Sequence, residues 1–435
     1  MKTLLCISPH FPPVNSADMH RLRQSLAYFE DYGWKPVVFM VKPDYIEEEQ
    51  ESLLLESIPK NIEINTVSAF STSWTRKIGL GNLGIRSWLQ YYYAVTAYIK
   101  TNKIDLIYFT TTVFTIMSLG PIWKKKFNIP FVIDLQDPWR NDYYLSLPKQ
   151  KRPRKFWFDY LQKKYLEAYT MPKVDGVVAV SKAYINQIKS RYTTLKSLEC
   201  LTIPFGAMKT DMEIAARVNP IPMNKDFINI VYVGRGGSDM EFALSAIFCA
   251  FKKGLTTNQG LFKNIRFHFF GTSYAASGQG IKNVLPIASK YDVEDYVFED
   301  SDRLPYFQSL STLKQADVLF IPGSIDEKYT ASKVFPYILA EKPIVAIFNE
   351  KSSVVDILKT QPGREVVEFR SDMTINDVSN KVLNQLIEIL RKLPFEPKID
   401  KSNLQPYLAS TMTQKQCLYF DQILQKSQSL NDIFH

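Results

Sequence analysis

Residues 228–237, INIVYVGRGG, form a strand-like run, Ile228 to Val233, that ends in the corner Gly234-Arg235-Gly236-Gly237. On its N-terminal side lies a polar, irregular stretch from about Lys209 to Asp226. Before that, short apolar runs alternate with amphipathic ones: Thr3 to Ser8, Pro36 to Val41, Ile62 to Val67, Asp105 to Thr110, Phe131 to Leu135, Gly176 to Val180 and Leu201 to Ile203. After Ile228 the same alternation restarts, with Arg266 to Phe270, Tyr296 to Glu299, Val318 to Ile321, Ile344 to Phe348 and Val366 to Phe369. Strand-like runs with helical patterns between most of them predict parallel sheets covered on both faces. The fold class is therefore α/β, with two doubly wound, Rossmann-like domains facing a cleft. The expected boundaries are an N-terminal domain over 1–210, a linker over 211–226 and a second domain over 227–403. A final helical pattern over 404–435 has no strand after it, so it is expected to cross back and pack on the first domain. Ligands of doubly wound sheets bind at the carboxyl ends of the strands.

At 435 residues the chain exceeds one ordinary core, which agrees with two domains. The first fifteen residues carry an apolar run too short for a signal peptide and cut by prolines, and no window is long enough to cross a bilayer. Four cysteines, Cys6, Cys200, Cys249 and Cys417, have no metal or redox spacing, and a reducing cytoplasm is the expected setting. The net charge of +9 lies wholly in residues 1–220, where 29 Lys and Arg face 20 Asp and Glu. Its densest run, KQKRPRK at Lys149 to Lys155, leads into Phe156, Trp157 and Phe158. Cations beside aromatics suit an anionic membrane surface or a phosphorylated partner, the other reading being a solvated loop before a helix. Nucleic acid is not an expected partner.

Several strand ends carry candidate chemistry. Residues 329–343, YTASKVFPYILAEKP, place Tyr329, Thr330, Ala331, Ser332 and Lys333 at the start of an apolar helix, where free N–H groups and the dipole favour a diphosphate. Arg235, among Gly234 and Gly236, supplies a second cation, and Gly271-Thr272 follows another strand. Together Arg235 and Lys333 could neutralise a leaving diphosphate without a metal. The loop PHFPPVNSADMHRLR, residues 9–23, brings Ser16, His20 and Arg21 to the first corner, where Arg21 can grip an anion with two donors. After the fifth strand, Asp137 followed by Trp139 and Arg140 can orient a sugar hydroxyl or accept its proton. Helix caps, turns and solvated arginines are the alternatives for these residues. Asp300-Ser301-Asp302 has the form of a metal-binding pair, but a turn explains it, and no metal or cofactor is expected.

Taken in order, the PHFPP loop with Arg21, VVAVSKAY at 177–184, IPFG at 203–206, VYVGRG at 231–236, FFGT at 269–272 and SKVFPYILAEKP at 332–343 resemble GT-B glycosyltransferases of the large retaining family four, specifically bacterial relatives that assemble surface polysaccharides. The resemblance implies a nucleotide-sugar donor held by the second domain, an arginine after its first strand on the diphosphate, matched by Arg235, and a last helix that returns to the first domain. It also implies front-face attack, with the departing phosphate helping to remove the acceptor proton. The chain departs from the family pattern where paired glutamates are usual: Lys328 and Pro336 stand there, with Glu327 one place off. Glu241 replaces the usual second lysine, and Ser16 and Ala17 replace a glycine pair. Lys333 is the expected substitute on the diphosphate, and Glu327 or Asp326 on the donor sugar.

The expected function is therefore sugar transfer, with retention, from a nucleotide-sugar to a glycan or lipid-linked acceptor, in the cytoplasm and peripheral at the inner face of the cell membrane. A GT-B-fold binding or scaffold protein that has lost the donor site is the alternative from a different class. A sugar-nucleotide epimerase fits the architecture but lacks the acidic and histidine set that its proton transfers need.

Overall fold

The computed structural model describes residues 1–433 except 143–144, 146–147, 150–151, 153–155, 274, 276–277 and 327–333. The chain separates into two compact units, Met1–Gly206 with Tyr407–His435, and Ala207–Pro406. In the first unit, β1 (Lys2–Ile7), β2 (Trp34–Val41), β3 (Glu63–Val67), β4 (Leu106–Thr110), β5 (Phe131–Leu135), β6 (Gly176–Ala179) and β7 (Cys200–Thr202) form one sheet in the order β3-β2-β1-β4-β5-β6-β7. In the second, β8 (Ile228–Val233), β9 (Ile265–Phe270), β10 (Val297–Asp300), β11 (Val318–Pro322), β12 (Ile344–Asn349) and β13 (Arg364–Phe369) run β10-β9-β8-β11-β12-β13. Every strand pairing within these sheets is parallel. Both sheets are doubly wound, as expected from the sequence, because nearly continuous apolar runs such as Leu4 to Ile7 and Val318 to Ile321 can be buried only between two helical layers.

Alternation along the strands splits the first unit's core by face. Leu5, Ile7, Val37, Phe39, Ile107 and Phe109 pack on one side of the sheet, while Leu4, Cys6, Val38, Met40, Leu106 and Tyr108 pack on the other. The second face is closed by the helix Ala409–Ile433, which contributes Met412, Cys417, Tyr419, Phe420 and Ile423. Full burial of a side chain such as Phe420 contributes about 2 kcal/mol. Polar ties fix its register. The Tyr419 hydroxyl accepts from Val177 N at 2.9 Å and donates to Glu199 O at 2.6 Å, Gln416 donates to the Tyr108 hydroxyl at 3.0 Å, and Lys2 pairs with Asp421.

The stretch read as the start of an irregular linker is ordered structure of the second unit. Lys209–Ala215 is a helix that buries Met212, Ile214 and Ala215 and packs on the helix Tyr306–Gln315, where the Tyr306 hydroxyl donates to Asp211 at 2.6 Å. Its seven residues are too few for a 3.6-residue period to stand out from the sequence.

Gly176 begins β6 directly beneath the C-terminal helix, and a methyl group there would overlap Ile423 Cδ1 and the Tyr419 hydroxyl. Gly176→Ala is expected to lower stability by about 2 kcal/mol, the cost of overpacking a tight contact, read as a lower midpoint in thermal or urea unfolding. An unchanged midpoint would show that the helix does not bear on β6.

Candidate functional site

In each sheet the strand order reverses between two neighbours, β1 and β4 in the first, β8 and β11 in the second. Connections leave these pairs in opposite directions, so their carboxyl ends are the places where a ligand can reach backbone and side chains. Each unit carries a polar cluster there.

In the second unit, Arg235 follows β8 and donates through both Nη atoms to Asp239, at 2.8 and 2.7 Å. These bonds are the main reason the Asp239 carboxyl lies below its usual range, with a further bond from Ser324 at the end of β11. Ile325 N donates to Asp239 O at 2.9 Å, which joins the corners of β8 and β11. A Cβ at Gly237 would stand 2.5 Å from Asp239 Oδ1 and 2.6 Å from Arg235 Nη1, so a larger residue there would displace the ion pair. The N–H groups of Gly234 and Gly236 donate to Phe270 O at 2.9 Å and Thr272 O at 2.8 Å, extending the β8–β9 ladder past the strand ends. These two glycines therefore shape the corner, and their amides are committed to the backbone. The apolar helix Val334–Leu339 is tied to the same corner by the buried Tyr337, whose hydroxyl accepts from Val233 N at 2.8 Å and contacts Val233 O at 3.1 Å. Glu327, Tyr329, Thr330, Ala331, Ser332 and Lys333 lie outside the described residues.

Thr272 is fully buried, and its hydroxyl donates to Glu299 at 2.6 Å. Glu299 also accepts from Asn283 N at 2.8 Å and Leu285 N at 2.7 Å, so it satisfies the start of the helix Leu285–Ser289. Gly271 N donates to Asp300 O at 2.9 Å. This corner is a structural cap. Asp302 N bonds Asp300 Oδ1 at 3.0 Å, an Asp turn as read from the sequence. Among the described residues no cluster of His, Cys, Asp and Glu is arranged for a metal ion.

In the first unit the cluster is built on Asp18, a buried carboxylate that the sequence reading passed over. It accepts from His10 Nδ1 at 3.0 Å, Ser16 Oγ at 2.6 Å, Thr111 Oγ1 at 2.9 Å and Thr112 N at 2.9 Å, so the β1 loop is bound to the end of β4. Burial opposes both charges, but their attraction and hydrogen bond outweigh it, raising His10 and holding Asp18 well below the carboxylate range. The available signal was a histidine three residues past a strand and an aspartate eight further on. Attention to His20 missed it: His20 Nδ1 lies 3.1 Å from Arg23 Nη2, one turn along the helix.

Arg21, read as an anion grip, is buried and its fork is occupied. Nε donates to the buried Asp134 at 3.1 Å, Nη1 to Pro204 O at 2.9 Å and Nη2 to Ile203 O at 2.5 Å. It is a strut between β5 and the loop after β7. Trp139 is buried against Phe114, ring centroids 5.7 Å apart, and Arg140 N donates to the buried Glu167, so both hold the β5 loop in place. Asp137 differs from these. Its carboxylate is exposed and makes no hydrogen bond among the described residues. Crowding by surrounding protein and the charge of Asp18 raise its pKa, while Lys163 opposes the rise.

No protein-family model matches the chain, and no curated protein matches it by sequence. Solved structures match over the full length. Sucrose-phosphate synthase from Thermosynechococcus elongatus superposes with a TM-score of 0.53 at 13% identity, covering 100% of this chain and 99% of that one. Anabaena HepE in complex with UDP-glucose gives 0.52 at 12%, covering 99% and 100%. S. aureus TarM in complex with Fondaparinux, alpha-GlcNAc-glycerol and UDP gives 0.57 at 10%, covering 97% and 100%. The chain has the GT-B fold. At these identities the likeness extends to architecture and not to individual side chains.

Two predictions follow from the corners. Asp239→Asn removes the negative charge that competes for the Arg235 guanidinium, so added pyrophosphate should bind roughly twofold tighter by calorimetry, a gain of about 0.5 kcal/mol. Weaker binding would mean that Asp239 serves chiefly to orient Arg235. For His10, whose pKa is raised in the folded chain, the stabilisation is complete below its ordinary value of 6.5 and is lost as pH rises through the folded value. Melting temperatures of wild type and His10→Gln should therefore converge as pH rises above 6.5, and a constant gap would contradict the ionised pair.

Proposed function

We propose that this GT-B protein is a glycosyltransferase that moves a sugar from a nucleotide-sugar donor to a glycan or lipid-linked acceptor, with retention of configuration, in bacterial surface polysaccharide assembly. The observation that carries the reading is Arg235 at the carboxyl end of β8, at the reversal point of the second sheet, in a fold shared over its whole length with proteins crystallised with UDP and UDP-glucose. Charge builds on the diphosphate as the sugar bond breaks, and a guanidinium aimed at it stabilises that state more than the bound substrate. The Arg235 and Asp239 side chains are 24% and 31% exposed, so water screens the pair and it contributes only about 0.5 kcal/mol. A diphosphate, carrying more charge than one carboxylate, can displace Asp239 at little cost. Lys333, and Glu327 or Asp326 for the donor sugar, remain part of this proposal.

Asp137 is assigned to the acceptor. With its pKa raised, it is a better hydrogen-bond and proton acceptor than an ordinary aspartate. In the front-face route the departing phosphate takes the acceptor proton, and Asp137 orients the hydroxyl. The reaction needs no metal in this reading and is placed in the cytoplasm, peripheral to the inner face of the membrane, with the basic run Lys149 to Lys155 as contact.

A second reading, a scaffold that has lost the donor site, is favoured by one feature: the Arg235 charge is matched by Asp239, and Glu241, where a lysine is usual, is paired with Lys290. Purified protein incubated with UDP- and GDP-sugars separates the two. Release of nucleoside diphosphate is expected, falling roughly 100-fold in kcat/KM for Arg235→Ala with unchanged thermal stability. Asp137→Asn should lower kcat and abolish the acidic limb of the pH profile, which in wild type lies above the ordinary aspartate value of 3.8. No nucleotide binding to the wild type would leave the scaffold reading.

A further inference from the structure

The helix Phe156–Thr170, FWFDYLQKKYLEAYT, turns Phe156 and Leu166 inward but leaves a second set of large apolar groups outside. Its inner side holds the fully buried Glu167, which accepts from Arg191 Nη1 at 3.1 Å, the Tyr192 hydroxyl at 2.9 Å and Arg140 N at 3.0 Å. Gln162 donates to Thr115 at 3.3 Å and the Tyr160 hydroxyl to Asp142 at 2.9 Å on neighbouring loops. The outer side carries the large apolar groups: Trp157 is 51% exposed, Phe158 56%, Leu161 42%, Tyr165 67% and Tyr169 42%. At the helical period these five fall within an arc of about 120°. The remaining residue of that arc, Ala168, is not acidic, and Lys164 borders it. Such a stripe on a surface helix marks a site that something else covers.

The charges around the stripe indicate what covers it. Arg152 stands 5.5 Å from the Trp157 ring at one end of the helix, and Lys173 stands 3.6 Å from the Tyr169 ring at the other. In sequence, five cations of Lys149 to Lys155 immediately precede the helix. Aromatic rings of Trp and Tyr with Lys and Arg at the margins are the composition that rests at the headgroup level of a bilayer. No helix among the described residues is long and apolar enough to cross a membrane, so the contact would lie in the plane of the interface.

We infer that the outer face of the helix Phe156–Thr170 docks on an anionic phospholipid surface, with Trp157, Phe158, Leu161, Tyr165 and Tyr169 entering the interface and the flanking cations meeting the headgroups. This gives the membrane contact suggested by the basic run a defined element and an apolar component. It does not depend on the transfer reaction, since vesicle binding is read without donor or acceptor.

The test is flotation of the full chain with vesicles of phosphatidylcholine alone or mixed with phosphatidylglycerol, at low and moderate salt. Wild type should float with the anionic vesicles, less at moderate salt, and stay behind with the neutral ones. The triple variant Trp157→Ser, Phe158→Ser, Tyr165→Ser should partition at least roughly tenfold less at unchanged circular dichroism. Brominated phosphatidylglycerol gives a readout on wild type that needs no destabilising change: tryptophan emission should be quenched, and Trp157→Phe should bind equally while losing most of that quenching. Failure to float at low salt, or floating of the triple variant equal to wild type, overturns the inference. So does self-association in sedimentation velocity that the triple variant abolishes, which would assign the face to a second copy of the chain.

Discussion

The ion pair of Arg235 with Asp239 is the contact on which the candidate donor corner depends. It closes the turn after β8, it draws in Ser324 from the end of β11, and through Ile325 N it joins the two diverging loops at the reversal of the sheet. Tyr337 holds the following helix to the last residue of β8 from below. The guanidinium is therefore held in position by a partner that an anion can replace. Under the proposed donor role, the corner would exchange one anion for another on binding, which limits the reorganisation that a developing charge would otherwise demand.

The first unit solves a different problem with the same chemistry. Asp18 and Asp134 are carboxylates buried near the carboxyl end of its sheet, and each is met by a cation and several donors, His10 with two threonines and Ser16 for one, Arg21 with Thr110 and Gln136 for the other. Leaving either unpaired would cost several kcal/mol. The effect is to stiffen the loop between β1 and the first helix against β4, β5 and β7, so that Asp137 is presented from a rigid floor. Asp137 is not part of these networks and carries the raised pKa of a carboxylate in a crowded, negatively charged setting.

The central strands were readable because a parallel sheet buried on both faces needs continuous apolar runs, as in β1, β4, β5, β11 and β12, whereas the edge strands β3 (EINTV) and β10 (VFED) are more polar and partly exposed. The corners were readable in position for the same reason, since a strand end followed by small residues can only be a turn. Partners were not. Arg21 meets Asp134 across 113 residues of sequence, and Thr111 and Thr112 reach Asp18 across more than 90, separations that local pattern cannot bridge. Arg21 was therefore read as available when it is spent, and His10 was passed over because its partner lies eight residues on. Thr272 had the look of a phosphate contact but caps a helix through Glu299, a pairing set by the neighbouring strand β10. The helix Phe156–Thr170 shows the same limit in reverse. Its basic lead-in was visible in sequence, while the outward exposure of Trp157, Phe158 and Tyr165 appeared only once Glu167 was located in the interior.

The account stands most directly on where the guanidinium of Arg235 goes when nucleotide is bound. A crystal structure of the complex with UDP should show its Nη atoms within about 3.2 Å of diphosphate oxygens, with Asp239 turned away or sharing a single bond. UDP bound elsewhere, or an Arg235–Asp239 pair still closed beneath it, would contradict the assignment of this corner to the donor.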